Sequence, residues 1–216
     1  MKIEEKQSVQ KRVTEFIQSK TPGEIFQYND FNLSRNEFIA LSKALSRLTK
    51  NGTIKRLRKG LYYKPKKTIF GELRPSEEEM IKALTQNNKK VTGYKTGVSE
   101  FNRLGLTTQV PRGIMIKAKG SKRKARIGNL DVNYKVLSQN IQLKDIDKLQ
   151  ILDALKSIKS IPDTKIENTI IRLSSIMNNM KLKDKYRLLF LSRKYNAQTR
   201  ALLGAIFEFN KDIELS

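Results

Sequence analysis

Eight of the polar and basic side chains between residues 35 and 59 are candidates for contact with a nucleic acid. They are Arg35, Asn36, Lys43, Arg47, Lys50, Arg56, Arg58 and Lys59. An asparagine amide can pair with adenine, arginine or lysine can pair with guanine, and any of the cations can bind phosphate. The second to fifth of these residues are spaced so that a helix would carry them on one face. The pattern predicts a DNA-contacting surface, and the alternative for any single residue is a solvated helix face.

Sequence signals mark both ends of the helix that would carry this face. Ser34 and Glu37 form a capping box at its beginning. An apolar stripe at helical spacing follows: Phe38, Leu41, Leu45 and Leu48. Gly52 ends the helix, because glycine adopts the left-handed conformation at little cost. Arg35 therefore lies at the N-terminal end, where a recognition helix usually meets base edges.

A basic β-hairpin is predicted directly after this helix, with strands at residues 53–57 and 61–64. The cations of this hairpin, called the wing cations here, are Arg56, Arg58 and Lys59. We expect them to bind phosphate rather than read sequence. Tyr62 and Tyr63 would point to opposite faces of the second strand, so one of them is expected to pack on the core.

The segment before the recognition helix completes a known arrangement. Residues 6–20 carry apolar side chains on one helical face, residues 25–26 are a short extended piece, and residues 28–31 fit one helical turn. Helix, short strand, short helix, long helix and two-stranded wing are the elements of a winged helix-turn-helix. We therefore predict this DNA-binding domain over residues 1–67, which hold 16 basic and 6 acidic residues.

The composition is compatible with a polyanionic partner and excludes several kinds of chemistry. The 216 residues include 44 Lys and Arg against 21 Asp and Glu, which gives a net charge of +23. Such an excess concentrates a protein on polyanions, because each neutralised phosphate releases counterions. The chain has no cysteine and no histidine, so disulfides, the usual zinc sites and Ser-His-Asp triads are excluded.

Neither catalysis nor a membrane is indicated by the remaining residues. Asp145 and Asp147 fit the first turn of a helix, where acids complement the helix dipole. We therefore expect no catalytic residue, no metal and no cofactor. The first ten residues lack a hydrophobic signal core, and no run approaches the ~20 apolar residues that cross a bilayer. These features predict a cytoplasmic protein without a membrane partner.

Beyond the winged helix, residues 68–75 are predicted to be a linker and residues 76–140 a mixed α/β part. Strands are expected around 114–116 and 132–136, with a basic loop between them. The cations assigned to this loop are Lys117, Lys119, Lys122, Arg123, Lys124 and Arg126. Two interpretations stay open, a solvated hairpin and a second phosphate-contacting patch.

The last part of the chain, residues 144–212, is predicted to be helical. Apolar residues at helical spacing mark four helices, of which the first ends at Pro162 and the last begins at an Asn196 cap. The whole chain is therefore expected to have a mostly helical α+β fold, in which a winged helix-turn-helix precedes a mixed and then a helical C-terminal domain.

Three segments resemble the AbiEi-type antitoxins of bacterial abortive infection, which belong to type IV toxin–antitoxin systems. Residues 45–63 (LSRLTKNGTIKRLRKGLYY) resemble the winged helix of that family. Residues 92–111 (TGYKTGVSEFNRLGLTTQVP) resemble the start of its second domain, and residues 195–208 (YNAQTRALLGAIFE) resemble its terminus. The resemblance thus covers nearly the whole chain and implies that residues 76–216 are an antitoxin domain.

The resemblance implies a repressor that binds inverted repeats of double-stranded DNA at its own promoter. It also implies a partner, a nucleotidyltransferase-like toxin that the C-terminal domain counters, although a stable complex with the toxin is not implied. The alternative is a stand-alone winged-helix regulator, or an RNA-associated basic protein, with no toxin partner.

Overall fold

A computed structural model describes residues 8–87, 90–138 and 140–214, with side chains as far as Glu208. Helices and several small β-sheets make up an α+β fold, as the sequence predicts. The described residues fall into two compact units. The first unit extends to Lys90 and also includes residues 127–129, and the second holds the remainder. No described helix has the length and apolar character needed to span a bilayer.

The first unit contains three helices, two 3-10 turns and several short strands among its described residues. In chain order they are α1 (Val9–Ser19), β1 (Ile25–Gln27), a 3-10 turn (Tyr28–Phe31), a second 3-10 turn (Arg35–Glu37), α2 (Phe38–Lys50), β2 (Lys55–Arg58), β3 (Leu61–Tyr63), β4 (Lys66–Thr68), β5 (Gly71–Leu73), α3 (Glu77–Thr85), β6 (Gln86–Asn87) and β7 (Lys90–Val91). The last strand continues one residue into the second unit.

Element order and strand pairing in the first unit are those of a winged helix-turn-helix. The sheet has the order β1-β3-β2, with β3 antiparallel to both neighbours. Phe26 on β1 lies opposite Tyr62 on β3, and α1 packs against α2. The loop from β2 to β3 is the wing, and α2 is in the position of the recognition helix. The winged-helix arrangement that the sequence predicts is therefore present.

The core of the winged helix lies between its helices and the sheet. It consists of Val13, Ile17, Phe26, Phe31, Leu41, Ala44, Leu45, Ile54 and Tyr62. Leu41 and Leu45 of the predicted stripe are buried and Leu48 is partly buried, but Phe38 is half exposed. Phe38 lies in the first turn of α2, where its ring packs edge-on against Tyr28 at a centroid distance of 5.0 Å.

The predicted linker and domain boundary differ from the structure. Part of the segment 68–75 belongs to an antiparallel hairpin, β4–β5, in which Lys66 pairs with Leu73. Helix α3 was expected to open the second domain, but it packs on β1 instead. The side-chain amide of Gln27 on β1 donates to the backbone carbonyl of Ala83 on α3 at 3.2 Å. The hairpin has no apolar period because neither face of its strands is buried, so its sequence is typical of a loop.

The second unit combines one four-stranded sheet with five described helices. Its elements are β8 (Gly93–Thr96), α4 (Val98–Arg103), β9 (Gly113–Ala118), β10 (Arg123–Ile127), β11 (Leu130–Val136), a 3-10 turn (Leu143–Asp145), α5 (Ile146–Lys156), a 3-10 turn (Ile158–Ser160), α6 (Ile166–Asn178), α7 (Leu182–Ser192) and α8 (Ala197–Glu214). The four helices predicted from the apolar spacing correspond to α5 to α8.

The sheet of the second unit corrects the predicted basic loop. Its order is β10-β11-β9-β8, and β9 and β11 run parallel with Ile114 opposite Val132. Residues expected to form a loop therefore include β10, which occupies the edge beside β11. A charged edge strand lacks the alternating apolar pattern of a half-buried strand, so the sequence does not distinguish it from a loop.

Helix α5 is the centre of the helical part of the second unit. Leu149 and Leu152 of its predicted stripe are buried, and so are Ile151 and Ala154 on other sides of the helix. Neighbouring helices α7 and α8 and strand β8 pack around it. An Asn196 cap precedes α8 as predicted, with its side-chain oxygen accepting from the Thr199 amide at 3.0 Å.

Candidate nucleic-acid interface

The turn before α2 is fixed by the carboxylate of Glu37. This group accepts hydrogen bonds from the Ser34 amide at 2.9 Å and the Ser34 hydroxyl at 2.7 Å, which is the predicted capping box. The Arg12 guanidinium on α1 donates to the other carboxylate oxygen at 2.7 Å. Arg35 and Asn36 lie within this turn and are exposed. The turn thus presents two candidate base-contacting side chains from a fixed backbone.

Hydrogen bonding also changes the acidity of the carboxyl group in this turn. The Ser34 hydroxyl is the largest influence, followed by the Ser34 amide, and the charge of Arg12 adds to both. Together they lower the pKa of Glu37 to about 2, against the opposing effect of burial. Glu37 is therefore ionised throughout the physiological pH range, and the turn keeps its hydrogen bonds there.

Helix α2 carries its cations on the side away from the core. Lys43, Arg47 and Lys50 are exposed, whereas Leu41 and Leu45 are buried between α2 and the rest of the domain. The exposed and buried faces of α2 are therefore divided as the sequence predicts. One nitrogen of the Arg47 guanidinium lies 3.4 Å from the Gln10 side-chain oxygen, a long contact between two exposed groups.

Asn36 does not share the α-helical spacing that was expected of it. It lies in the 3-10 turn Arg35–Glu37, and α2 begins at Phe38. Because a 3-10 turn advances by three residues per turn rather than 3.6, the helical offset between Asn36 and Lys43 does not hold. Asn36 remains an exposed candidate at the N-terminal end of α2, beside Arg35.

A β-bulge in the wing separates two of the wing cations. Arg56 pairs with Tyr62 and Arg58 pairs with Leu61, so the register shifts between them. Directly opposed residues share a face of the sheet, which puts Arg56 on the Tyr62 face and Arg58 on the Leu61 face. A regular strand would have put both arginines on one face. The wing therefore exposes cations on two sides.

The end of the wing requires glycine. Gly60 has a φ of +80°, and a Cβ atom built there would lie 3.1 Å from the ring of Tyr28. An L side chain at this position would be strained in its backbone and crowded by that ring. The turn that follows the wing cation Lys59 therefore depends on glycine at position 60.

Tyr62 and Tyr63 are both buried, whereas only one of them was expected to pack on the core. Strand β3 is the central strand of its sheet, with both edges paired, and all three of its residues are buried. The Tyr62 hydroxyl lies 3.2 Å from that of Tyr28, and burial together with this contact raises the pKa of Tyr62 to about 12. Neither tyrosine presents a surface ring to a ligand.

The six cations that the sequence offers as a possible second basic patch lie in different environments in the structure. Lys117 is half buried and forms an ion pair with Asp153, and Arg123 stacks on Tyr134 with its guanidinium 4.0 Å from the ring centroid. Strand alternation in β10 directs Lys124 and Arg126 to the opposite face from Arg123. Lys119 and Lys122 are exposed in the connection before β10. These six cations do not form one continuous surface.

Asp145, one of the two acids considered for chemistry, is engaged in a structural contact. Its carboxylate is buried and accepts two hydrogen bonds of 2.8 Å from the Arg187 guanidinium. This contact lowers the pKa of Asp145, with the Arg187 hydrogen bonds as the largest cause. No group of three potential metal ligands occurs among the side chains that the structure describes.

Sequence reasoning missed a polar cluster around Asp153. Asp153 lies in the C-terminal half of α5 and is buried. Its carboxylate is contacted by Tyr94, Thr96, Lys117 and Tyr195. The available signal was an acidic residue within the otherwise apolar run 151–155. That signal does not reveal the partners, which come from distant parts of the chain.

Comparison with known proteins establishes the family of the chain. A family model matches residues 12–185, and the chain belongs to that family, described as a family of unknown function (DUF6088). The match extends across the winged helix and into α7. No curated protein has a sequence that matches the chain. The family description assigns no activity, so the antitoxin resemblance stays a prediction.

Proposed function

We propose that this protein is a DNA-binding transcriptional regulator that binds its operator through α2 and the wing. The observation that carries the proposal is the orientation of α2 in a winged helix, with Lys43, Arg47 and Lys50 exposed and the leucines inward. A helix with a polar, cationic outer face fits the major groove of DNA, where base edges present distinct donors and acceptors.

Each part of the interface has a different role in this proposal. Arg35 and Asn36, in the turn before α2, reach base edges, because the N-terminal end of a recognition helix enters the groove first. The wing cations bind phosphates beside the groove and position the domain without reading sequence. Two copies of the chain occupy the two halves of an inverted repeat. The protein acts in the cytoplasm.

We further propose that the protein is an antitoxin. The basis is the resemblance of residues 45–63, 92–111 and 195–208 to AbiEi-type antitoxins, in the same order along the chain. The second unit would counter a nucleotidyltransferase-like toxin encoded beside it, without the need for a stable complex. Finding a nucleotidyltransferase reading frame directly downstream of this one would favour the antitoxin function over a stand-alone regulator.

Binding to the chain's own promoter region tests the regulatory function. Fluorescence anisotropy with a labelled promoter fragment should give saturable binding that an unlabelled promoter competes away far better than a scrambled duplex. A single-stranded RNA of the same sequence serves as the third competitor. Equal competition by promoter and scrambled duplex, or stronger competition by the RNA, would contradict an operator-binding regulator.

Co-expression tests the antitoxin function separately. Growth arrest caused by the neighbouring nucleotidyltransferase should be relieved by the full-length chain. A full-length variant with the three wing cations replaced by alanine should relieve it equally, because neutralisation is assigned to the second unit. Continued arrest with both proteins expressed would remove the antitoxin proposal and leave the regulator.

A further inference from the structure

We propose that the second unit binds a small polyphosphate anion, such as the triphosphate chain of a nucleotide, in a lysine-lined cavity beside Asp153. The cavity has a volume of about 330 Å³. Five lysines line it: Lys117, Lys122, Lys135, Lys156 and Lys194. None of the described residues that line the cavity is acidic. This site is independent of the DNA-binding function, since it involves neither α2 nor the wing.

Asp153 lies behind the cavity in a fully hydrogen-bonded state. Its carboxylate accepts from the Tyr94 hydroxyl at 3.0 Å, from Thr96 at 2.7 Å and from Tyr195 at 2.7 Å, and it also pairs with Lys117. Burial raises the pKa of both tyrosines, and the negative charge of Asp153 adds to this effect. The hydroxyls therefore remain protonated donors, and the Asp153 charge is satisfied inside the unit.

Lys117 connects this buried cluster to the cavity. Its ammonium group has three N–H donors, of which one meets the Asp153 carboxylate. The rings of Tyr94 and Tyr195 flank the ammonium nitrogen at centroid distances of 5.8 and 5.6 Å. The described residues offer Lys117 no further hydrogen-bond acceptor, and its side chain is only 18% exposed. An oxyanion in the cavity would supply the missing acceptor.

The other four lysines surround this position with uncompensated charge. Lys122, Lys135, Lys156 and Lys194 are exposed, and none has an ion-pair partner among the residues that the structure describes. Like charges that converge on one concavity repel each other, and a polyanion relieves this repulsion. Lysine is a common phosphate ligand that acts as a point charge.

The shape of the site favours a small ligand over a nucleic-acid duplex. A cavity of about 330 Å³ is within the range of small-molecule sites. Duplex phosphates are spread along a convex outer surface, whereas the five lysines face a common hollow. A short chain of phosphates can contact several of them together, while a single phosphate would leave most of the positive charge unmatched.

Isothermal titration calorimetry at fixed ionic strength tests the proposal with sodium tripolyphosphate and a nucleoside triphosphate as probes. Wild-type protein should show one saturable site for both. The double variant Lys156→Ala/Lys194→Ala, on the cavity rim, should bind at least about tenfold more weakly, because charge-assisted contacts are lost. The matched control Lys159→Ala/Lys165→Ala removes two exposed lysines elsewhere in the same unit and should bind within about twofold of wild type.

The two probes also distinguish the two sources of the phosphate chain. Equal affinity would show that the chain alone is recognised, and tighter binding of the nucleotide would show that its nucleoside contributes as well. Both results support the site. Lys117→Gln removes the inner charge and keeps a donor toward Asp153, so it should weaken binding of both probes. Thermal melting shows whether this variant is folded. If it is not folded, the Lys156→Ala/Lys194→Ala variant alone tests the site.

Three results would overturn the proposal. The first is the absence of a saturable site for either probe. The second is an equal loss of affinity in the Lys156→Ala/Lys194→Ala variant and in its control, Lys159→Ala/Lys165→Ala. That result would indicate diffuse attraction of the anion to a basic protein. The third is an equal loss when the wing cations are replaced, which would put the anion on the first unit.

Discussion

The Arg12 guanidinium on α1 lies 2.7 Å from the Glu37 carboxylate in the turn that precedes α2. Glu37 is also bonded to the amide and hydroxyl of Ser34. One carboxylate thus joins the first helix of the domain to the backbone that carries Arg35 and Asn36. The position of the candidate base-contacting residues therefore depends on the ionisation of Glu37, which is not itself a proposed DNA contact.

Replacing Glu37 by glutamine should lower stability in a pH-dependent way. The folded-state pKa of Glu37, about 2, is below its ordinary value of 4.5. The ionised carboxylate therefore stabilises the fold fully above pH 4.5, and this contribution is lost as the pH falls toward 2. The melting temperatures of wild type and Glu37→Gln should differ most near neutral pH and converge near pH 2.

Glu15→Gln is the matched control for this experiment, because Glu15 is exposed on α1. Its melting temperature should follow that of wild type across the pH range. A difference between wild type and Glu37→Gln that stays constant from pH 7 to pH 2 would show that ionisation of Glu37 is not what holds the turn.

Two Gly→Ala substitutions should change stability in opposite directions. Gly60→Ala should destabilise the winged helix by about 1–2 kcal/mol, because alanine is strained at positive φ and its Cβ meets the Tyr28 ring. Gly204→Ala in α8 meets nothing within 4 Å and should stabilise its helix by about 0.5–1 kcal/mol. Urea unfolding measures both. Similar changes in the free energy of unfolding for Gly60→Ala and Gly204→Ala would contradict the positive φ of Gly60 in the wing.

The wing cations should determine part of the salt dependence of DNA binding. Each phosphate contact contributes ~0.9 to the slope of log affinity against log salt. Replacing Arg56, Arg58 and Lys59 by alanine should therefore reduce the slope by about 2–3. Fluorescence anisotropy titrations at several concentrations from low to moderate salt measure this slope.

The control for the wing variant removes three other exposed cations, Lys159, Lys165 and Arg200. Both variants lose the same net charge, so a general effect of charge would change the two slopes equally. An unchanged slope in the wing variant would show that the wing does not contact phosphate.

Local sequence signals predicted helix beginnings and buried helix faces well. The Ser34–Glu37 capping box, the buried Leu41 and Leu45, and the Asn196 cap all follow from residues three or four positions apart. These interactions are made within one helix or turn, so their pattern is present in the sequence. Phe38 is an exception: the stripe predicts a buried side chain, but Phe38 is half exposed. Its environment depends on Tyr28, which belongs to a separate element.

Contacts between distant segments were not predictable in the same way. The parallel pairing of β9 with β11 and the docking of α3 on β1 are choices among partners that the local pattern does not specify. The cluster at Asp153 collects Tyr94, Lys117 and Tyr195 from two strands and a loop. Only the three-dimensional structure shows that Lys117, assigned to a basic loop, belongs to a cavity.

The most direct test of the DNA-binding proposal is the affinity of Arg47→Ala for operator and for scrambled duplex, measured side by side at one salt concentration. If Arg47 reads a base from the exposed face of α2, operator binding should weaken by ~1–3 kcal/mol and scrambled-duplex binding much less. Gln10→Ala, which removes the side chain that Arg47 contacts, is the control and should retain operator affinity. An equal loss on both duplexes would contradict base reading by Arg47, and no loss on either would contradict the assignment of α2 as the recognition helix.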